Sequence, residues 1–327
     1  MLRSMYSGIS GLKNFQTKLD VIGNNIANVN THGFKKGRVI FKDLMSQTAG
    51  SASGSTGATG GVNAKQVGLG STLAAIDTIH GSGSRQNTGR TLDIAIEGDG
   101  FFVVGGRAGD DQEEPVIGGF DNIKYTRAGN FYMDNEGFLV NADGYYLIGL
   151  NGDAGDVPEG APEGDDIIGH QPIGKDENGD PLVPDDDSVY NPEDPLAPTV
   201  DQGGRIYIPA DAQSMSIGLD GRVTYVDKEG ALQFAGQLVM AKFPNAEGLT
   251  KDGNNYYQPS ANSGAPGFSA GSLNGIGKAV SGALEMSNVD LSEEFTEMIV
   301  AQRGFQANTR IITTSDEILQ ELVNLKR

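Results

Sequence analysis

The chain has 327 residues, a formal net charge of −19, 48 glycines, no cysteine and no tryptophan. Without cysteine there are no disulfides, zinc–thiolate centres or thiol nucleophiles, and the acidic balance argues against nucleic acid or an anionic membrane as the main partner. The length suits about two domains, and abundant glycine with 7% aromatic residues implies many turns, short strands and modest cores.

The first twenty residues lack the continuous apolar core and small-residue cleavage site of a secretory signal. No run approaches the ~18 apolar residues of a membrane span. Instead Met5, Leu12, Leu19 and Ile26 recur every seven residues. A second series starts at Leu2 and Ile9 and passes through Gln16 and Gly23, while Phe15 and Ile22 broaden the stripe. This spacing predicts an apolar-striped helix over 2–26. The cluster of Asn24, Asn25, Asn28, Asn30 and Gly33 supplies its stop.

Residues 50–61 are a glycine-serine-threonine stretch read as a flexible loop, with no Gly-Lys-Ser/Thr to make it a phosphate loop. From Thr72 the pattern turns to short β-rich runs punctuated by Asp-Gly and Glu-Gly turns, and the same style resumes at Arg205. Between them, 151–201 hold 15 Asp/Glu, one Lys and eight prolines. So polar a segment cannot bury a core, and it reads as an acidic insertion facing outward, with short strands at 166–168 or near 189.

The C-terminal segment carries an unbroken seven-residue series, Leu291, Met298, Phe305, Ile312 and Leu319. Its companion series has a polar middle, Gln302, Thr309 and Asp316, between Phe295 and Val323. Asp290 and Ser292 ahead of Glu293 and Glu294 form an N-terminal capping signal, and Lys326 and Arg327 suit the last turn. A helix over 291–326 would be about 54 Å long at a rise of ~1.5 Å per residue. Neither striped helix can bury its seam alone, so the two are expected to pair. Residues 1–49 balance at +5 and 290–327 at −3, which modestly favours the pairing.

The expected fold class is α+β: long N- and C-terminal helices paired in a coiled-coil-like helical domain, plus a discontinuous β-rich domain with an acidic insertion. The expected division is 1–71 with 281–327 for the helical assembly domain, 72–150 with 202–280 for the β domain, and 151–201 for the insertion. Enzyme motifs are absent: there is no nucleophile elbow, dinucleotide fingerprint or HExxH. His32, His80 and His170 are scattered and read as solvated or hydrogen-bonded loop residues. Asp176, Asn178 and Asp180 only faintly resemble a calcium loop, since Pro181 replaces its glycine. Asp93, Glu97 and Asp99 form the one compact carboxylate set in the β region, and they carry the remote alternative of a secreted carbohydrate-active or carbohydrate-binding β protein.

Three sets of residues resemble one family. Asn24-Asn25-Ile26-Ala27-Asn28-Val29-Asn30-Thr31-His32-Gly33-Phe34-Lys35 is similar to the N-terminal signature shared by bacterial flagellar rod and hook proteins. The central Asp93-Ile94-Ala95-Ile96-Glu97-Gly98-Asp99-Gly100-Phe101-Phe102 and Tyr125-Thr126-Arg127-Ala128-Gly129-Asn130-Phe131 resemble the family's β motifs. Ser287-Asn288-Val289-Asp290-Leu291, Gln302-Arg303-Gly304-Phe305-Gln306-Ala307-Asn308 and Asp316-Glu317-Ile318-Leu319 resemble its C-terminal helix.

The resemblance implies a structural subunit, not an enzyme, with no cofactor or metal. It implies a homo-oligomeric helical tube lined by terminal helices, with the β domain as wall, exported without a cleaved signal through the flagellar type III apparatus. Gln302-Arg303-Gly304-Phe305 with Asn288-Val289-Asp290-Leu291-Ser292-Glu293-Glu294-Phe295, and less decisively Gly68-Leu69-Gly70, resembles the hook member, a flexible universal joint that transmits motor torque to the filament. Its implied neighbours are the distal rod, hook cap and hook–filament junction proteins, with no nucleic acid and no membrane insertion. The absence of a large outer domain keeps the distal rod member, a stiff drive shaft, as the alternative. The residues expected at the assembly interface are Met5, Ile9, Leu12, Leu19, Ile26, Asn28, Gly33, Phe34, Leu291, Met298, Phe305, Ile312 and Leu319.

Overall fold

The computed structural model describes residues 2–55, 60–107, 120–150, 171–172, 203–273 and 275–325. The acidic insertion apart from Gln171–Pro172, the strands expected at 166–168 and near 189, the faint calcium loop, His170, Lys326 and Arg327 lie outside the described residues. The chain divides into two compact units. A terminal unit comprises Met1–Val29, Lys35–Ile79 and Val289–Arg327, and a wall unit comprises Asn30–Phe34 and His80–Asn288.

The terminal unit is built on two helices, α1 (Leu2–Ala27) and α2 (Leu291–Asn324), within two residues of the expected bounds. The Asp290 carboxylate caps α2 by accepting hydrogen bonds from the Ser292 and Glu293 amides at 2.8 and 3.4 Å, which satisfies orphan donors of its first turn. The helices pack against each other and run antiparallel: Gly8 meets Ile312, Phe15 meets Gly304, and Lys18 meets Glu297. Between them the chain forms paired strands. Gly37–Asp43 pairs antiparallel with Ser71–Thr78, and further out Gln47–Gly50 pairs with Lys65–Val67.

Two sequence readings change here. The stretch read as a flexible loop over 50–61 is flanked by a strand pair and crossed by a Ser53–Val62 bridge. Strands Gln47–Gly50 and Lys65–Val67 are solvent-facing almost throughout, so no alternation of apolar and polar residues announced them. Thr72, expected to open the β domain, lies in a strand paired along its length with Gly37–Asp43. The unit boundaries accordingly fall at 79/80 and 288/289, beside the expected 71/72 and 280/281.

In the wall unit a large antiparallel sheet runs in the order Ser214–Ile217, Arg222–Val226, Leu232–Leu238, Tyr146–Leu150, Phe101–Arg107, Phe120–Thr126, Tyr256–Gln258, Thr250–Gly253. It draws on chain segments from both sides of 151–201, and Gln171–Pro172 pairs with the strand Leu232–Leu238. The strand Phe101–Arg107 shows why its apolar run is continuous rather than alternating. Phe102 and Val104 point into one core with Ile94, Phe131 and Leu147. Phe101 and Val103 point to the other face, with Phe120, Tyr125 and Phe243. Both faces are covered, so successive side chains all find apolar neighbours. His80 lies in a loop, as expected, and packs edge-on there against Phe101 and Tyr257, with centroids 5.5 and 5.3 Å away.

Candidate functional site

The surface that matters in the terminal unit starts at the end of α1. Asn25 is 1% exposed, and its amide does the work of a strand neighbour. Its Nδ2 donates to the Gly37 carbonyl at 2.9 Å, and its Oδ1 accepts from the Gly37 amide at 3.0 Å. The same Nδ2 donates to Glu294 Oε2 at 3.2 Å. One side chain thus ties the last turn of α1, the first strand and the first turn of α2. Asn28 Nδ2 donates to the Asn24 carbonyl at 2.9 Å and to Asn24 Oδ1 at 3.0 Å. Asn25 and Asn28 of the asparagine-rich signature thus use their side-chain amides to satisfy backbone groups near where the helix stops.

Ion pairs flank this knot. Lys36 meets Glu293 at 2.9 Å and Lys18 meets Glu297 at 3.1 Å. With Arg38 and Glu294 they line a cavity of about 300 Å³. Glu294 is 5% exposed. Burial pushes its carboxyl above the ordinary 4.5, and Glu297 and Glu293 push the same way, while the Asn25 hydrogen bond and Lys36 hold it back. Among the described residues no group of histidines and carboxylates is arranged to hold a metal ion, and no helix is long and apolar enough to cross a membrane.

Further along, the helices meet through small and polar residues. A Cβ at Gly11 would stand 2.6 Å from Asn308 Nδ2, and one at Gly304 2.5 Å from the Phe15 ring. The face of α2 most shielded from solvent is Glu294, Ala301, Asn308 and Ser315, a seven-residue series of its own. An apolar stripe does not mark it, because only Ala301 in it is hydrophobic; the small residues that permit close approach are Gly8 and Gly11 of α1 and Gly304 of α2.

The expected interface residues divide. Met5, Leu12, Leu19 and Ile26 on α1, and Met298, Ile312 and Leu319 on α2, are half-buried. Ile9, Leu291 and Phe305 are 40, 39 and 37% exposed. Beyond them α2 presents Phe295, Ile299, Val300, Ile311 and Ile318, all between 43 and 59% exposed. Asn28 is half-buried. Gly33 and Phe34 belong to the wall unit. Gly33 has φ +70, and a Cβ there would stand 2.7 Å from the backbone of Arg127 and Ala128. Phe34 is 7% exposed, with Lys251 Nζ 5.1 Å above its ring.

The central motifs are structural. Gly129 lets the Ile94 amide bond its carbonyl at 2.9 Å, in a space where a Cβ would run into Ile94 itself. Asp93 pairs with Arg90 at 3.3 Å and Glu97 with Arg85 at 3.1 Å, so these carboxylates face separate guanidinium partners rather than one another.

Comparison with known proteins agrees along the chain. Family models match at 5–35 (flagella basal body rod protein), 95–225 (flagellar hook protein FlgE/F/G D1 domain) and 280–325 (flagellar basal body rod FlgEFG protein C-terminal). The flagellar basal-body rod protein FlgG of Bacillus subtilis is 51% identical over 330 residues, covering 100% of both chains. The flagellar hook protein FlgE of Borreliella burgdorferi is 33% identical, also covering 100% of both chains, but over 458 aligned positions.

Proposed function

The chain belongs to the flagellar rod and hook FlgE/F/G family, whose members are structural components of the flagellar basal body and hook and not enzymes, and from that premise we propose that it is the distal rod subunit, a stiff drive shaft. The carrying observation is the end-to-end match with a rod protein at 51% identity over 330 positions. The hook relative needs 458 positions to span the same chain, so it carries sequence that this chain lacks. That favours the rod alternative over the hook reading made from Gln302-Arg303-Gly304-Phe305.

In this reading many copies of the chain form a tube. The paired terminal helices, in coiled-coil-like contact, line its inside, and the wall unit surrounds them. The apolar residues that α2 leaves in water are where neighbouring copies pack, since a stripe of this size in a solitary subunit is unfavourable. Other copies and the hook protein are its neighbours; hook-cap and junction contacts belong to the hook reading. The subunit reaches its place through the flagellar type III export apparatus. Electron micrographs of basal bodies from a deletion strain test the assignment. The rod reading expects an incomplete rod with no hook. A completed rod that merely lacks its hook would restore the hook reading.

A further inference from the structure

The chain passes between its two units at four points, 29/30, 34/35, 79/80 and 288/289. On the wall side, the three segments at these crossings are bonded to one another. The Gly33 amide donates to the Glu285 carbonyl at 2.8 Å, and the Met286 amide donates to the Ser84 carbonyl at 2.8 Å. The Gly83 amide donates to Glu285 Oε1 at 3.0 Å. The other carboxylate oxygen, Oε2, accepts from Arg127 Nη1 at 3.2 Å, while Arg127 Nη2 donates to the Gly98 carbonyl at 2.8 Å. Glu285 thus uses its main-chain oxygen and both carboxylate oxygens on three different parts of the chain.

Glu285 and Arg127 are each 2% exposed. Such a pair is a poor way to gain stability, because desolvation offsets much of the attraction and an apolar pair would fill the space as well. What it supplies is direction: each oxygen and each N–H fixes one partner in one place. The glycines fit that purpose. Neither Gly33 nor Gly83 has room for a Cβ, so both segments approach as bare backbone.

We propose that Glu285 and Arg127 are positioning residues forming a clasp, which gathers the three connecting segments so that a load arriving from the terminal unit enters the wall unit as one. The mechanical role rests on the tubular reading above. The clasp itself is a property of the wall unit and is tested apart from it.

The experiment is residue-resolved hydrogen exchange on the full-length chain, comparing wild type with Glu285→Gln and with the double variant Arg127→Leu/Glu285→Leu. Glu285→Gln keeps the shape and removes the charge; the double variant leaves no buried charge unpaired. In both, exchange at Gly33, Gly83 and Met286 is expected to rise together by about tenfold or more, as loss of a buried charged partner implies. Amides of Phe102 and Val104 in the central strand keep their rates. If only Gly83 loses protection, the bond is local and the clasp does not exist. If Phe102 and Val104 accelerate by the same factor, the pair is ordinary core support and the proposal also fails. A deletion strain that contradicts the rod reading would leave this exchange result untouched.

Discussion

The two units of this chain solve the same problem to different degrees. In the wall unit, Ile94, Phe102, Val104, Phe131 and Leu147 are all fully buried in one core, against a sheet covered on both faces. In the terminal unit, Ile22 and Ala301 are the only hydrophobic residues below one-tenth exposure among the described residues. Its other well-shielded side chains are polar, Asn25, Lys35, Glu294 and Ser315. The wall unit has the core to be stable alone. The terminal unit orders two long helices against little buried apolar surface, which is the balance of a segment that completes its core on neighbouring copies.

Substitutions on either side of this contrast should behave oppositely. Phe305→Asp puts a charge at a half-exposed position of the proposed interface. It is expected to abolish tube formation, seen by electron microscopy, while the wall unit's unfolding transition stays within about 0.5 kcal/mol of wild type. Phe102→Ala opens a cavity beside Phe131, whose ring lies 5.2 Å away. It is expected to cost the free chain about 3–5 kcal/mol in denaturant titration. A shift of similar size from Phe305→Asp would erase the distinction between the units.

Smaller effects sharpen it. Asp290→Ala removes the cap of α2 and should destabilise assembled tubes by about 1 kcal/mol, with no change in the free chain's wall-unit transition. Glu294 supplies a pH dependence of defined sign. Its folded carboxyl titrates above 4.5 because it is buried, so the folded state holds the proton more tightly. Its contribution is therefore fully present below pH 4.5 and is lost as pH rises through the raised folded value. Tubes of Glu294→Gln should lack that part of the pH dependence and melt slightly higher than wild type at neutral pH. A variant that melts lower at neutral pH and keeps the wild-type slope would contradict the burial argument.

Much of this was legible in the sequence, for physical reasons that can be named. Seven-residue spacing placed α1 and α2, because apolar residues recurring at that interval share one side of the chain only when it is helical. The turn residues Asn24, Asn25 and Asn28 marked where α1 ends, and Asp290 where α2 begins. The inner face of α2 was not legible. Glu294 and Asn308 are polar, and their place is set by close approach to Asn25, Gly8 and Gly11 rather than by hydrophobicity. The strand pair around residue 50 was hidden because its side chains face water. The joining of Gly33, Gly83 and Glu285 was hidden because contacts between residues more than 200 positions apart leave no local pattern.

In this reading the terminal unit becomes ordered through assembly while the wall unit does not need it. Hydrogen exchange on the free chain and on assembled tubes tests this directly. Exchange is expected to be rapid along α1 and α2 in the free chain and slow along both in tubes, with the strand Phe101–Arg107 protected in either state. Equal protection of α1 and α2 in the free chain and in tubes would contradict it.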